Sequence, residues 1–235
     1  MITIYTVAFN EEVLIQFMID HYRLRFPNCH IVIYDNFSTD NTVKIAKDNN
    51  CEIIYYNTNN MINDNKYLEI KNNCWKGAKT DWVLVCDVDE MLEINQQQLL
   101  MEESSGTTII KGEGYNMVNM EDNFDLPKIV YGSRCTPYDK SYLFNKKFIT
   151  DIRYTHGCHN CNPIGAVKYN TNVYKTYHYN CINPDYKVER YKLFASRLSP
   201  ENKQHGWGNH YLQSEESIRQ SFIQARSYVT KIKEK

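Results

Sequence analysis

The stretch Trp82-Val-Leu-Val-Cys86-Asp87-Val88-Asp89-Glu90 runs from a continuous apolar segment straight into acid. A short apolar run bounded by charge reads as a buried strand, and residues two apart in a strand face the same way. Asp87 and Asp89 therefore converge at the strand's C-terminal end while Val88 faces away. Open α/β sheets bind their ligands at such ends. A pair of carboxylates there suits a hard divalent cation that shares its ligands with substrate phosphates. Taken alone, Asp-x-Asp reads equally well as a solvated turn after a strand.

Working outward, the first hundred residues alternate between strand and helix periods. Residues 2–7 form a β-type run, and Asn10-Glu11-Glu12 opens a helical pattern through Val13, Leu14, Phe17, Met18, His21 and Tyr22 that ends at Pro27-Asn28. Residues 31–34 are a second buried strand, followed by Asp35-Asn-Phe-Ser38-Thr-Asp40, in which Ser38 or Asp40 can cap a helix carrying Val43, Ile45 and Ala46. Residues 51–56 read as a strand and 67–78 as a helix, ahead of the strand at 82–86. Such alternation specifies an α/β fold, a mostly parallel mixed sheet covered by helices on both faces. Beyond about residue 104 it stops. Strands are expected at 107–110, 128–131 and 142–144, and helices at 184–198 and 215–233. With no linker or repeat, residues 1–235 are expected to be one domain whose second half extends the same sheet.

Composition narrows the function classes. The chain has 235 residues, 42% hydrophobic and 23% charged, with 27 basic against 28 acidic residues. A net charge of −1 argues against nucleic-acid binding through an overall positive field. No apolar run reaches the length of a membrane span. The first ten residues lack a basic leader, so a cytoplasmic location is expected. The eight cysteines are then reduced thiols, several of them small hydrophobes in apolar segments. The oligomeric state is not legible in the sequence. Lys231-Ile-Lys-Glu-Lys235 reads as a solvated helix end.

Three strand ends, carrying Asn10-Glu11, Asp35-Asn36 and Asp87-Asp89, face one rim. Capping accounts for Ser38 and Asp40, but not for polar groups gathering at three strand ends beside one crevice. In these residues the chain resembles GT-A glycosyltransferases, and within them the inverting family-two group. The resemblance rests on Phe9-Asn10-Glu11, the Asp35-Asn-Phe-Ser38-Thr-Asp40 loop, Lys71-Asn72 and Asp87-Val-Asp89, in register over about residues 1–100. It implies a GT-A, Rossmann-like fold, with residues 1–104 holding a nucleotide sugar and 105–235 an acceptor. It implies transfer of a sugar from a nucleotide-diphosphate donor, UDP-sugar by preference, to a hydroxyl acceptor, with inversion. Val7 to Phe9, Asn10, Asp35 and Asn36 would hold base and ribose, Lys71 a phosphate, and Asp87 with Val88 the ribose side of the donor. Mn²⁺ or Mg²⁺ would be bound by Asp89, with Asp87 and a late histidine, His178.

The second half is read residue by residue. His159 lies in His156-Gly-Cys158-His159-Asn-Cys161, expected to be an active-site loop facing sugar or acceptor. Cys158 and Cys161 have zinc-knuckle spacing, but no second Cys-x-x-Cys follows to complete a structural zinc site. Inverting transfer needs a base for the acceptor hydroxyl. The candidates are Glu113, Glu121, Asp122, Asp125, Asp139 and Asp151, with Asp139 favoured and Glu113 second. Trp207-Gly-Asn-His210-Tyr211 offers aromatic faces for a sugar, or a loop packed under the last helix. Two other functions share these features. A nucleotidyltransferase would carry a Gly-rich phosphate loop after the first strand, and Val7-Ala-Phe-Asn-Glu-Glu12 has no glycine. A non-catalytic binding module would keep the fold without nucleotide and metal binding.

Overall fold

The structure, a computed structural model, describes residues 1–121 and 123–233. The expected alternation is present. β1 (Ile2–Ala8), α1 (Ile15–Arg25), β2 (His30–Asp35), α2 (Thr42–Asp48), β3 (Glu52–Tyr55), α3 (Asp64–Asn73) and β4 (Trp82–Asp87) follow one another along the chain. Next come β5 (Glu90–Leu92), α4 (Gln96–Ser104), β6 (Ile109–Lys111), β7 (Glu113–Val118), β8 (Tyr131–Arg134), β9 (Ser141–Asn145) and β10 (Ile149–Asp151). The remaining elements are β11 (Ile164–Gly165), β12 (Lys175–Cys181), α5 (Pro184–Arg197), α6 (Pro200–His205), α7 (Glu215–Arg226) and β13 (Thr230–Lys231).

The main sheet has the order β3-β2-β1-β4-β9-β6. β1 to β4 are parallel, and β9 is antiparallel to its neighbours β4 and β6. The order reverses at β1, since β2 lies on one side of it and β4 on the other. The crevice outside such a switch point is the natural ligand site of an open α/β sheet. Alternation sets the two faces of β4: Trp82, Leu84 and Cys86 join the core that includes Met18, Ile19 and Tyr22 of α1. Val83 and Val85 pack on the other side with Trp75 and Phe144. A strand buried on both faces has to read as continuous apolar sequence, as 82–86 does.

The second half departs from a simple extension. β6 and β9 do join the main sheet, but a second sheet of order β13-β8-β7-β12-β5 stands beside it. The chain passes from one sheet to the other at Asp87–Glu90, where β4 ends and β5 begins. β5 is too short to show as a strand in the sequence pattern. Local chemistry explains other shifts. Asn63 caps α3, its Oδ1 accepting from Lys66 N–H at 2.9 Å, so that helix starts earlier than its apolar pattern. Pro127 stands in a single turn at 126–128, and the expected strand begins after it, at Tyr131. α7 stops at Arg226, and the chain then pairs as β13 along β8. Among the described residues no helix is long and apolar enough to cross a membrane.

Candidate active site

A cleft of about 620 Å³ opens at the C-terminal ends of β1 and β4. Val7 to Phe9 and Asp87 to Glu90 line it from the main sheet, Lys71 from α3, and Arg190 and Arg197 from α5. Tyr138, Lys140, His159, His178 and the 208–211 loop complete the wall.

The loops after β1 and β2 are tied to each other by side chains reaching for backbone. Asn10 adopts a left-handed φ of 52°, and its Oδ1 accepts from Thr39 N–H at 2.8 Å. The N–H groups of Asn10 and Glu11 donate to Ser38 Oγ and Thr42 Oγ1 at 2.9 and 2.7 Å. Asp35 is fully buried, its carboxylate accepting from Ser38 N–H and Ser38 Oγ at 2.9 and 2.5 Å. Asn10, Asp35 and Asn36 thus lie behind the cleft wall and set the shape of its β1 and β2 loops. Only Val7 to Phe9 of that group reach the lining. Above Phe9 lies the Arg197 guanidinium, 3.1 Å from the ring centroid, its Nε donating to Asn60 O at 3.0 Å.

At the acidic turn the carboxylates separate. Asp87 Oδ1 meets Lys71 Nζ at 2.5 Å, with Lys140 Nζ 3.8 Å from Oδ2. Burial opposes ionisation of Asp87, but the two ammonium groups outweigh it and hold the carboxyl well below its ordinary range. Lys140 also pairs with Glu90 Oε1 at 2.5 Å, and both side chains are buried. Glu90 Oε2 is buried with no hydrogen-bond partner.

His178 is placed by register. It lies opposite Glu90 across β5 and beside Asn116 on β7. Its Nδ1 meets Asn116 Oδ1 at 2.7 Å, which puts the proton on Nδ1 and leaves the Nε2 lone pair 3.8 Å from Asp89 Oδ2. Burial lowers its pKa to about 4, so the ring is neutral. Tyr138 stacks on it at 3.8 Å. Ligand atoms of Asp89, Glu90 and His178 lie within 4.8 Å of one another. The orphaned Glu90 oxygen, the oriented imidazole lone pair and the Asp89 carboxylate form a donor set that fits a divalent ion. Among the described residues this is the one such cluster; the cysteines and histidines of 156–161 do not form another.

Arg190 links the two walls. It pairs with Glu11 at close range, reaches Asp89 Oδ2 at 3.4 Å, and accepts support from Tyr186, whose hydroxyl receives its N–H at 2.8 Å. Burial raises Glu11 to about 7 against the pull of Arg190.

The favoured base candidates fall elsewhere. Asp139 turns away, its carboxylate accepting from Arg134 at 2.6 Å and from Gly114 N–H at 2.8 Å, outside the lining. Glu113 is half exposed on β7 beside Arg134 and also outside it. Glu121, Asp125 and Asp151 do not line the cleft either, and Asp122 lies outside the described residues. Trp207 is sandwiched between His156 and His205, centroids 4.0 and 4.5 Å away, so neither of its faces is free for a sugar. Of the expected helix end at 231–235, Lys231 is strand instead, and residues 234–235 lie outside the described residues.

Glu90, Lys140, Arg190, Arg197 and Tyr138 were not foreseen. Glu90 directly follows the Asp-x-Asp pair, so its position was the one available signal. The others reach the cleft only through tertiary packing.

A model of the glycosyl transferase family 2 matches residues 3–161, more than half of the chain. Among solved structures, TarS of S. aureus is 16% identical with a TM-score of 0.49, covering 97% of this chain and 43% of that one. A 1–349 form of TarS in complex with UDP is 17% identical, TM-score 0.48, covering 94% and 70%. Glucosyl-3-phosphoglycerate synthase from Mycobacterium tuberculosis, with Mg²⁺ and UDP, is 16% identical, TM-score 0.42, covering 67% and 61%. This chain spans less than half the length of the longer TarS chain. No curated protein matches it. By the match over residues 3–161, the chain belongs to glycosyl transferase family 2.

Proposed function

We propose that this cleft binds a nucleotide-diphosphate sugar, UDP-sugar by preference, and transfers the sugar with inversion to a hydroxyl acceptor. The observation that carries the reading is the meeting of Val7 to Phe9, Lys71 and the Asp89–Glu90–His178 cluster in one cleft at the switch point of the sheet. Val7 to Phe9 form the floor for the base, with the Arg197 guanidinium above Phe9. Asp35 and Asn36 act from behind by fixing that floor. Lys71 and Lys140 carry the positive charge that meets phosphate, and Asp87 keeps both ammonium groups in place until the donor arrives.

Asp89, Glu90 and His178 would hold the divalent ion. An imidazole among carboxylates favours Mn²⁺ over Mg²⁺, which prefers oxygen alone. When bound, the ion supplies charge that stabilises the leaving diphosphate. Arg190, tied to Glu11, steadies Asp89 from the α5 side.

The test is thermal unfolding with UDP, GDP, CMP and their sugar conjugates, with and without Mn²⁺. A ligand at a hundred times its Kd adds about 2.7 kcal/mol of stability. A rise in Tm with one nucleotide, larger with manganese, is the expected result. No rise with any of them would leave a fold without its donor site and reject the proposal.

A further inference from the structure

Inverting transfer needs a base beside the acceptor, and the carboxylates of this cleft are already engaged. Glu11 is held by Arg190, Asp87 by Lys71 and Lys140, and Glu90 by Lys140. Asp89 lies between Arg190 and His178, and Asp64 Oδ1 accepts from Asn202 at 3.0 Å. The cations weaken as bases the four carboxylates paired with them, and Asp64 exchanges hydrogen bonds with Asn202 through its carboxylate and its backbone N–H.

His159 is differently placed. Its Nδ1 meets the Pro137 carbonyl at 2.7 Å, and a carbonyl can only accept, so the proton sits on Nδ1. The Nε2 lone pair is left without a hydrogen bond among the described residues, on a ring that lines the cleft. Tyr138 sets the ring edge-on at 5.5 Å and itself stacks on His178, so three rings run from the candidate metal cluster toward His159. The backbone is shaped for this presentation. Gly157 and Cys158 both hold left-handed φ, 71° and 53°. A Cβ on Gly157 would come within 2.7 Å of His159 Cδ2. Strain of this kind in a non-glycine residue persists where the surroundings enforce it.

We infer that His159 is the general base of the transfer, a reading that rests on the proposed function. The acceptor hydroxyl oxygen forms a bond to C1 of the sugar as the C1–O bond to the diphosphate breaks, its electron pair leaving on phosphate. The hydroxyl proton passes to Nε2, and the imidazolium then releases it to water. Burial in the cleft and then Lys140 hold the imidazole below its ordinary pKa, which keeps it neutral before the step. The charged and titratable groups facing it are Lys140, Lys71, Asp87, Tyr138 and His210.

The experiment incubates the full chain with Mn²⁺ and a panel of UDP- and GDP-sugars, with water and then glycerol as hydroxyl acceptor, and reads nucleoside diphosphate release. UDP affinity is measured in parallel by calorimetry. His159→Ala should lower release by about 10² to 10⁴-fold while UDP affinity stays within twofold. The acidic limb of the pH–rate profile should disappear, and added imidazole should restore part of the rate. His159→Ala with a rate near wild type overturns the inference, as does a loss of rate matched by lost UDP binding. If the wild-type chain binds no nucleotide and releases none from any donor, the transferase reading falls and this inference with it.

Discussion

The two walls of the cleft are built by different means. The wall from β1, β2 and β4 is backbone at strand ends, tied by short side chains to neighbouring N–H groups, as Asp35 is to Ser38 and Asn10 to Thr39. The facing wall, from residues 137–139, 157–159 and 199–211, is held largely by side-chain rings: Tyr138 on His178, His159 on the Pro137 carbonyl, Trp207 between two histidines. On the proposed reading, fixed strand ends hold a donor whose phosphates must meet charges at set positions. On the same reading, the wall of stacked rings is the one that meets the acceptor. The difference predicts that damage to the first wall abolishes binding, whereas damage to the second changes turnover or local stability.

The largest effect should come from Asp89→Asn. Losing one carboxylate from the three-residue cluster removes manganese-dependent stabilisation by nucleotide and drops activity by about 10³-fold or more, a size typical of removing a preorganised electrostatic group. The fold without metal should keep its Tm, because Asp89 is partly exposed at a rim. A Tm that falls without metal would make Asp89 a structural residue and erase the distinction between the walls. Next in size is Lys140→Met. Glu90 would then be left buried without its cation, and a broken buried pair costs about 3–5 kcal/mol. Urea unfolding reads this directly. A loss under about 1 kcal/mol would mean that the pair behaves like a surface one.

The same contrast explains what could be read from the sequence. The first wall belongs to strands buried on both faces, so 82–86 had to be continuously apolar and Asp87 had to mark the strand's end. Asp89 was legible for that reason, whereas Lys71, on helix α3, was reached through the family resemblance of Lys71-Asn72. Glu90 was hidden because it begins a three-residue strand in another sheet, and its partnership with His178 exists only through the register of β5 on β12. The second wall has no period to reveal it. Asp139 looked suited to catalysis from its place ahead of a strand, yet Arg134 five residues before it and the Gly114 N–H claim its carboxylate. Which side chains meet across helix α5 and the 199–211 segment is decided by packing of elements far apart in sequence.

Beneath the first wall, His21 offers a prediction in pH. Its Nε2 lies 2.9 Å from the Leu92 carbonyl, and burial, followed by Arg25, lowers its pKa to about 3. The unfolded ring titrates near its ordinary value of about 6.5, so below that pH the unfolded chain binds a proton the folded one refuses. Stability from this group is full above about pH 6.5 and is lost as pH falls toward 3, by at most about 1.4 kcal/mol per pH unit. Glu11 works the other way, since its raised pKa favours the folded state on the acid side of about 7. The difference between wild type and His21→Gln isolates the histidine. Unfolding free energies measured from pH 7 to 4 should converge as pH falls. Parallel curves would show that the ring takes up its proton alike in the folded and unfolded chain.

The smallest effect expected is at Trp207, and it probes the second wall alone. The segment 199–211 crosses from α5 to the cleft and is fastened at three points. Ile62 N–H donates to Arg197 O and Ser199 N–H to Ile62 O, Asn202 exchanges hydrogen bonds with Asp64, and the His156–Trp207–His205 stack closes it over the 156–161 loop. Gly208 follows with φ 77°, where a Cβ would come within 2.7 Å of Leu198. Each aromatic contact beyond its buried area contributes about 0.5–1.5 kcal/mol. Trp207→Ala should therefore cost about 1–3 kcal/mol, counting two contacts, and speed proteolysis within 199–211. Nucleotide binding should stay as it was, because no donor-wall residue is touched. Because the stack also braces the 156–161 loop that carries His159, turnover should fall while nucleotide affinity does not. A Trp207→Ala protein with weaker nucleotide binding and unchanged proteolysis would show that the strap belongs to the donor site, and that the two walls act as one.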